Sequence, residues 1–133
     1  MTTYTERTLE FYDLLLTDFP AAVEKYITQD TIWENPLPEI IPFGGVYQGP
    51  EGLGQYLQMI MAELEMKPLH FGDIIESGRI VSAIGDEKDT LVKRTGKRYD
   101  MPCVHVIRFD ADGKVAHIRE YNDITQMLLA FQS

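Results

Sequence analysis

A single cysteine, Cys103, stands in the whole chain, so no disulfide can close within it. It lies in an apolar run beside Val104 and reads as a small buried hydrophobe rather than a nucleophile. Long hydrophobic runs are lacking as well, and no stretch reaches the ~18 consecutive apolar positions of a membrane span. The start, MTTYTERTLEFY, has neither the basic residues nor the apolar core of a signal peptide. A cytoplasmic protein is therefore expected. Positive charge is also scarce: 12 Lys and Arg stand against 21 Asp and Glu, a formal net charge of −9. Such a field repels phosphate backbones and anionic lipid, so neither nucleic acid nor a membrane is an expected partner. A small, uncharged or weakly polar molecule fits better. There is no HExxH, no close His/Asp cluster, no GxSxG elbow and no phosphate loop following a strand. Neither a metal nor a cofactor is expected.

What is present suits one domain over residues 1–133, long enough to bury roughly two thirds of its unfolded surface. Apolar residues make up 44% and charged residues 25%, as in an ordinary globular protein. From Glu6 to Leu16 the spacing of Leu9, Tyr12 and Leu16, widened by Leu15, predicts a helix. Asp18 before Pro20 marks the start of a second, over Ala21 to Thr28. A short strand, TIWEN, leads into PLPEIIPFGG, whose prolines and glycines exclude regular structure. That loop carries Leu37, Ile40, Ile41 and Phe43, and its expected role is to cover something. Pro50 opens a third helix with the stripe Leu53, Tyr56, Leu57, Ile60, Met61 and Leu64. Strands follow at LHFGDIIES, RIVSAIGD, KRYDMPCVHVIRF and KVAHIREYN, the last two joined at DADG. Helices first and strands afterwards indicate α+β: three N-terminal helices on a curved, mostly antiparallel sheet, with a cavity between them.

The last hairpin holds the chemistry. If Phe109 faces Lys114 across DADG, Cys103 pairs with Glu120 and His105 with Ile118. Alternation then puts Cys103, His105, Ile107, Ala116, Ile118, Glu120 and Asn122 on one face. Val104, Val106, Arg108, Val115, His117, Arg119 and Tyr121 take the other. Glu120 and His105 become diagonal neighbours. A glutamate in apolar surroundings is raised by desolvation, from ~4.3 towards ~6–7, where it moves protons near neutral pH. The competing reading is a structural carboxylate held by Arg79, Arg94 or Arg98. Trp33, Phe43, Tyr47, Tyr56 and Met59 are candidates for apolar walls, with Ile107 and Ile118 beneath and Asn35 and Asn122 as orienting groups.

The segments TIWENP, GGVYQGPEGLGQYL and TGKRYDMPCVHVIRFDADGKVAHIREYND resemble the SnoaL-like, ketosteroid isomerase-like branch of the NTF2-like superfamily. The resemblance spans nearly the whole chain, is specific for the fold and weak for the reaction. It implies a cone-shaped α+β barrel enclosing an apolar pocket, and a homodimer formed through the outer sheet face of Val104, Val106, His117 and Tyr121. It also implies roles. Where ketosteroid isomerases carry their carboxylate base this chain has Asn35, which cannot serve. Their protonated acid falls at His105 and their donor tyrosine at Phe11, beside Tyr12. Glu120 matches the acid/base glutamate of phenazine-biosynthesis proteins, and Asp123 the acid/base aspartate of polyketide cyclases. The resulting expectation is a cofactor-independent isomerase, cyclase or condensing enzyme for an apolar carbonyl compound. Glu120 or Asp123 would be its acid/base and His105 its polarising donor. A non-catalytic binder of a small hydrophobic ligand, or a dimeric interaction module, is the alternative.

Overall fold

The computed structural model describes residues 2–133; Met1, first residue of the expected domain, lies outside them. Helix α1 spans Tyr4–Thr17, capped by the Thr3 hydroxyl on Glu6 N. The Asp18 carboxylate accepts from Ala21 N and starts α2, Phe19–Tyr26, with Pro20 in its first turn. Strand β1, Ile27–Asn35, β2, Gly45–Gln48, and α3, Gly49–Glu63, follow. Then come β3 (Leu64–Glu65), β4 (His70–Ser77), β5 (Ile80–Val92), β6 (Arg98–Phe109), β7 (Val115–Asn122) and α4 (Thr125–Phe131).

The seven strands form one strongly curled half-barrel in the order β2-β1-β7-β6-β5-β3, with β4 also paired to β5. Every pairing is antiparallel except β1 with β7. The helices close the concave side, and the core lies between them and the sheet. Phe11, Tyr26 and Trp33 meet there, with Val81, Ala83, Ile107 and Ile118 as the floor.

Several expectations change. Helix α1 buries Thr8, Phe11 and Leu15, whereas Leu9 and Leu16 face solvent at 49% and 74% exposure. Its inner stripe is therefore rotated from the one drawn through the leucines, because the aromatic at position 11 fills the cone better than leucines at the rim. Met61 of α3 is likewise exposed, and Leu64 belongs to β3. Strands β2 and β3 and helix α4 were not expected. The first two are short edge segments, and α4 has only seven residues.

The last hairpin departs from its expected register in two single steps. Asp110 N donates to Lys114 O, and the Asp110 carboxylate accepts from Asp112 N and Lys114 N. Gly113 takes φ +78, so the loop is a three-residue turn with its glycine in the left-handed position. A bulge at Ala116 adds the second step. His105 therefore sits directly opposite Glu120, not diagonal to it, and Cys103 opposes Asn122. Two steps preserve the parity of Ile118, Glu120 and Asn122. Within the bulge they exchange the neighbours: Val115 is buried and Ala116 is not.

Candidate active site

Glu120 and His105 are 5% and 4% exposed, side by side on the concave face. Both oxygens of Glu120 are taken. Oε1 accepts from His105 Nε2 at 3.2 Å and from Asn122 Nδ2 at 3.4 Å. Oε2 accepts from Trp33 Nε1 at 2.8 Å and from the Tyr56 hydroxyl. These donors come from β6, β7, β1 and α3, so the carboxylate ties four elements together. Burial pushes its carboxyl upward, but the attraction and hydrogen bond of His105, and the bonds from Tyr56 and Trp33, outweigh that. The group is held below the ordinary carboxylate range. This reverses the expected upward shift, and no arginine is responsible: Arg94 pairs with Glu63 and Arg98 with Asp89.

On the far side of the imidazole, the Tyr12 hydroxyl lies 2.6 Å from His105 Nδ1. Burial, then the Glu120 charge, pushes the Tyr12 phenol well above its usual value, so it stays a hydroxyl. The imidazole thus stands between a carboxylate and a hydroxyl. It can gain or release a proton at Nδ1 while Nε2–H remains on Glu120. Phe71 packs edge-on against Tyr12 and His105, with ring centroids 5.3 and 5.4 Å away. A second chain of bonds joins Asn35 Nδ2 to the Tyr56 oxygen at 2.8 Å and Asn122 Nδ2 to Asn35 Oδ1 at 3.1 Å.

The structure therefore brings together Trp33, Asn35, Tyr56, His105, Glu120 and Asn122, with Ile107 and Ile118 wholly buried in the same face. Other candidates stand at the margin. Tyr47 stacks on Tyr56 at 4.6 Å, donates to Phe43 O, and lies 3.9 Å from Met59 Sδ. Phe43 packs on Phe131 of α4. Asp123 is exposed and accepts from Thr125 N and Oγ1 at the start of α4, away from the imidazole. Two open surface grooves, of about 540 Å³ between β2 and α3 and about 440 Å³ beside α2, reach neither Glu120 nor His105. The carboxylate is instead enclosed by its own donors.

Two participants escaped the sequence reading. The sequence puts Tyr12 in a helix stripe and beside the donor-tyrosine position at Phe11 without making it a site residue, and the strand RIVSAIGD stops one residue short of Glu87. Parity had a signal for the latter: Val81, Ala83, Gly85 and Glu87 share one face of β5.

The chain is thus an α+β cone whose concave face holds a buried carboxylate–imidazole pair. The SnoaL-like domain profile matches residues 8–118, and the chain belongs to that family. The match ends at Ile118, just short of Glu120. An NTF2-like protein from Burkholderia thailandensis superposes with a TM-score of 0.85 at 21% identity, covering 100% of both chains. TerC, co-crystallised with polyporic acid, gives 0.81 at 21% identity over 98% of each. A proposed SnoaL-like polyketide cyclase from Shewanella denitrificans gives 0.77 at 17%, over 97% of this chain and 96% of that one. At these identities the likeness establishes the fold alone. No curated protein matches the sequence.

Proposed function

We propose that this protein is an acid/base enzyme, of isomerase, cyclase or condensing type, for a small apolar carbonyl compound bound on the concave face. What supports this most is the Tyr12–His105–Glu120 chain: a partly buried phenol, a buried imidazole and a buried carboxylate joined end to end, without a neutralising arginine. A depressed carboxylate is ionised at neutral pH. It holds His105 in one orientation, and His105 in turn carries a proton to or from the Tyr12 side. Trp33 and Tyr56 steady the pair, and Asn35, whose amide has one hydrogen beyond its bond to Tyr56, can offer it to an incoming oxygen. Entry of a substrate would require a covering segment to move aside, such as α4 or loop 36–44, which meet where Phe131 packs on Phe43. The neighbour crystallised with polyporic acid and the neighbour described as a polyketide cyclase are in keeping with such a ligand. The outer sheet face, with Ile84, Val106 and Tyr121, would carry the homodimer contact.

The test is exchange of α-hydrogens for deuterium in an apolar ketone such as 2-tetralone, followed by proton NMR in D₂O. Wild type is expected to accelerate exchange, and Glu120→Gln or His105→Ala to lower the rate by about 10²–10⁴. Exchange at the buffer rate in wild type would sink the reading. One observation favours a non-catalytic binder instead: every acceptor position of Glu120 that faces inward is filled by the protein's own donors. Such a protein would bind the same ketones and exchange none of their hydrogens.

A further inference from the structure

One partly buried carboxyl has no part in the relay. Glu87 lies where β5 slips against β6, between the pairs Glu87–Met101 and Thr90–Tyr99. Its pairing with Met101, which is 1% exposed, turns it to the concave face. The irregular segment is built rather than loose. Asp89 takes a left-handed φ of 52°, a costly conformation for a residue other than glycine. Its N–H donates to Asp100 Oδ1 at 2.8 Å, and Arg98 lies 3.5 Å from its carboxylate. What the bend achieves is to aim Glu87 inward.

Around Glu87 the hydrogen bonding is unfinished. Tyr99 donates to Glu87 Oε2 at 3.0 Å. Thr90, 1% exposed, places its hydroxyl near the same carboxyl without a hydrogen bond of normal geometry. Asn122 Oδ1 is also buried without a partner. Between Glu87 and Asn122 the floor is Gly85 and Cys103, two small residues paired with each other. None of the ion pairs among the described residues includes Glu87. Glu120 has a histidine against it, whereas Glu87 has only hydroxyls. Two carboxyls on one concave face are thus given opposite surroundings.

We propose that Glu87 is a second working carboxyl of this site, a neutral acid that with the Thr90 hydroxyl donates hydrogen bonds to a carbonyl, enol or phenol oxygen of the bound molecule. The proposal rests on the reading of the concave face as the ligand site. Burial raises the Glu87 carboxyl to about 7; the Tyr99 hydrogen bond lowers it and the Glu120 charge adds to the rise. The titratable groups facing it are Tyr99, Cys103 and His105 of β6, Glu120 of β7 and Tyr56 of α3. Burial pushes the Cys103 thiol to about 12 and both phenols well upward, so none of these three ionises near neutrality. An acid of this kind is a donor below about pH 7 and a repelling anion above it.

Two measurements on the full chain decide the matter. Carbon-13 titration of the glutamate side-chain carboxyls is expected to find Glu87 half-ionised near pH 7, and higher in Tyr99→Phe. Fluorescence titration with prodan, an aryl ketone that does not itself titrate there, is expected to show affinity about tenfold weaker at pH 8 than at pH 6. In Glu87→Gln, which keeps a donor but cannot ionise, that dependence should vanish. In Glu120→Gln the dependence should persist with its midpoint moved to lower pH, because the Glu120 charge no longer adds to the rise. The proposal is overturned if Glu87 titrates in the ordinary carboxylate range, if Glu87→Gln keeps the wild-type pH dependence, or if wild type does not bind prodan. Failure of the acid/base reading shows elsewhere, in ketone exchange that survives Glu120→Gln.

Discussion

At the scale of single residues, Glu120 and His105 are unequal partners in stability. Removing His105 leaves a buried carboxylate without one of its donors, a change that costs about 3–5 kcal/mol where a buried charge loses its partner. Glu120→Gln discharges the other side, loses part of the bonding to Trp33 and Tyr56, and should cost less, roughly 1–3 kcal/mol. Urea unfolding at pH 7 should therefore rank His105→Ala below Glu120→Gln, and the reverse order would mean that the buried carboxylate does not depend on His105. The two glutamates also give opposite pH slopes. Glu120 is depressed in the fold, so its contribution is present above the ordinary carboxylate value and lost as pH falls through the folded one. Glu87 is raised, so the folded state binds more protons than the unfolded chain between about 4.5 and 7, and stability falls as pH rises across that window. The size is on the order of 3 kcal/mol. Glu87→Gln should gain on wild type by up to that amount between pH 5 and pH 8, and a constant difference across that range would contradict it. Glu120 and His105 were legible as neighbours because alternation along β6 and β7 needs only parity. The sign of the Glu120 shift was not, since it depends on donors from β1 and α3 that no local pattern brings near.

At the scale of elements, irregularities position the chemistry. The Gly113 turn and the Ala116 bulge together slide β7 two residues along β6, which sets His105 opposite Glu120 rather than Ile118. A sequence reading that counts outward from DADG finds the strands and their faces but not this slide, because a bulge has no composition of its own. Helix α4 was invisible for a related reason: its seven residues bury Met127, Ala130 and Phe131 at helical spacing, but one such repeat is too short to stand out as a period. Yet α4 is well anchored, on β6 and on the loop that follows β1. Met127 and Phe131 are 1% and 4% exposed, Phe131 rests on Phe43 at 6.0 Å, and Thr95 Oγ1 donates to Ala130 O. Phe131→Ala should cost about 3 kcal/mol, within the range for truncated core aromatics. If α4 is the roof over the site, it should also raise the apparent affinity for prodan by making entry easier. Loss of stability with unchanged prodan affinity would place the entrance elsewhere, at the Pro36–Gly44 loop.

At the scale of the whole molecule, the sheet has two faces of different character, and only the concave one is covered. The convex face runs from Ile75 and Ile84 through Val104 and Val106 to Tyr121, with Ile75, Ile84 and Tyr121 at 58%, 38% and 52% exposure. Beside this apolar band, Glu34 accepts from Arg119 and lies 2.8 Å from His117, while the Arg119 guanidinium sits 5.0 Å from the Tyr121 ring. Arg119 Nε is buried without an acceptor. A face apolar at its centre and ion-paired at one margin suits a two-fold contact between copies, in which each band covers the other. A net charge of −9 opposes association, and burying about 800 Å² per partner is the usual scale at which apolar contact prevails. Light scattering should find about twice 15.2 kDa. Ile84→Lys combined with Val106→Lys should give the single mass with an unchanged circular dichroism spectrum, because both side chains point away from the core. Since Glu120, His105 and Glu87 lie on the opposite face, the monomer should keep the pH dependence of prodan binding. Loss of binding together with the dimer would mean that the partner copy holds the sheet in the curvature the site requires.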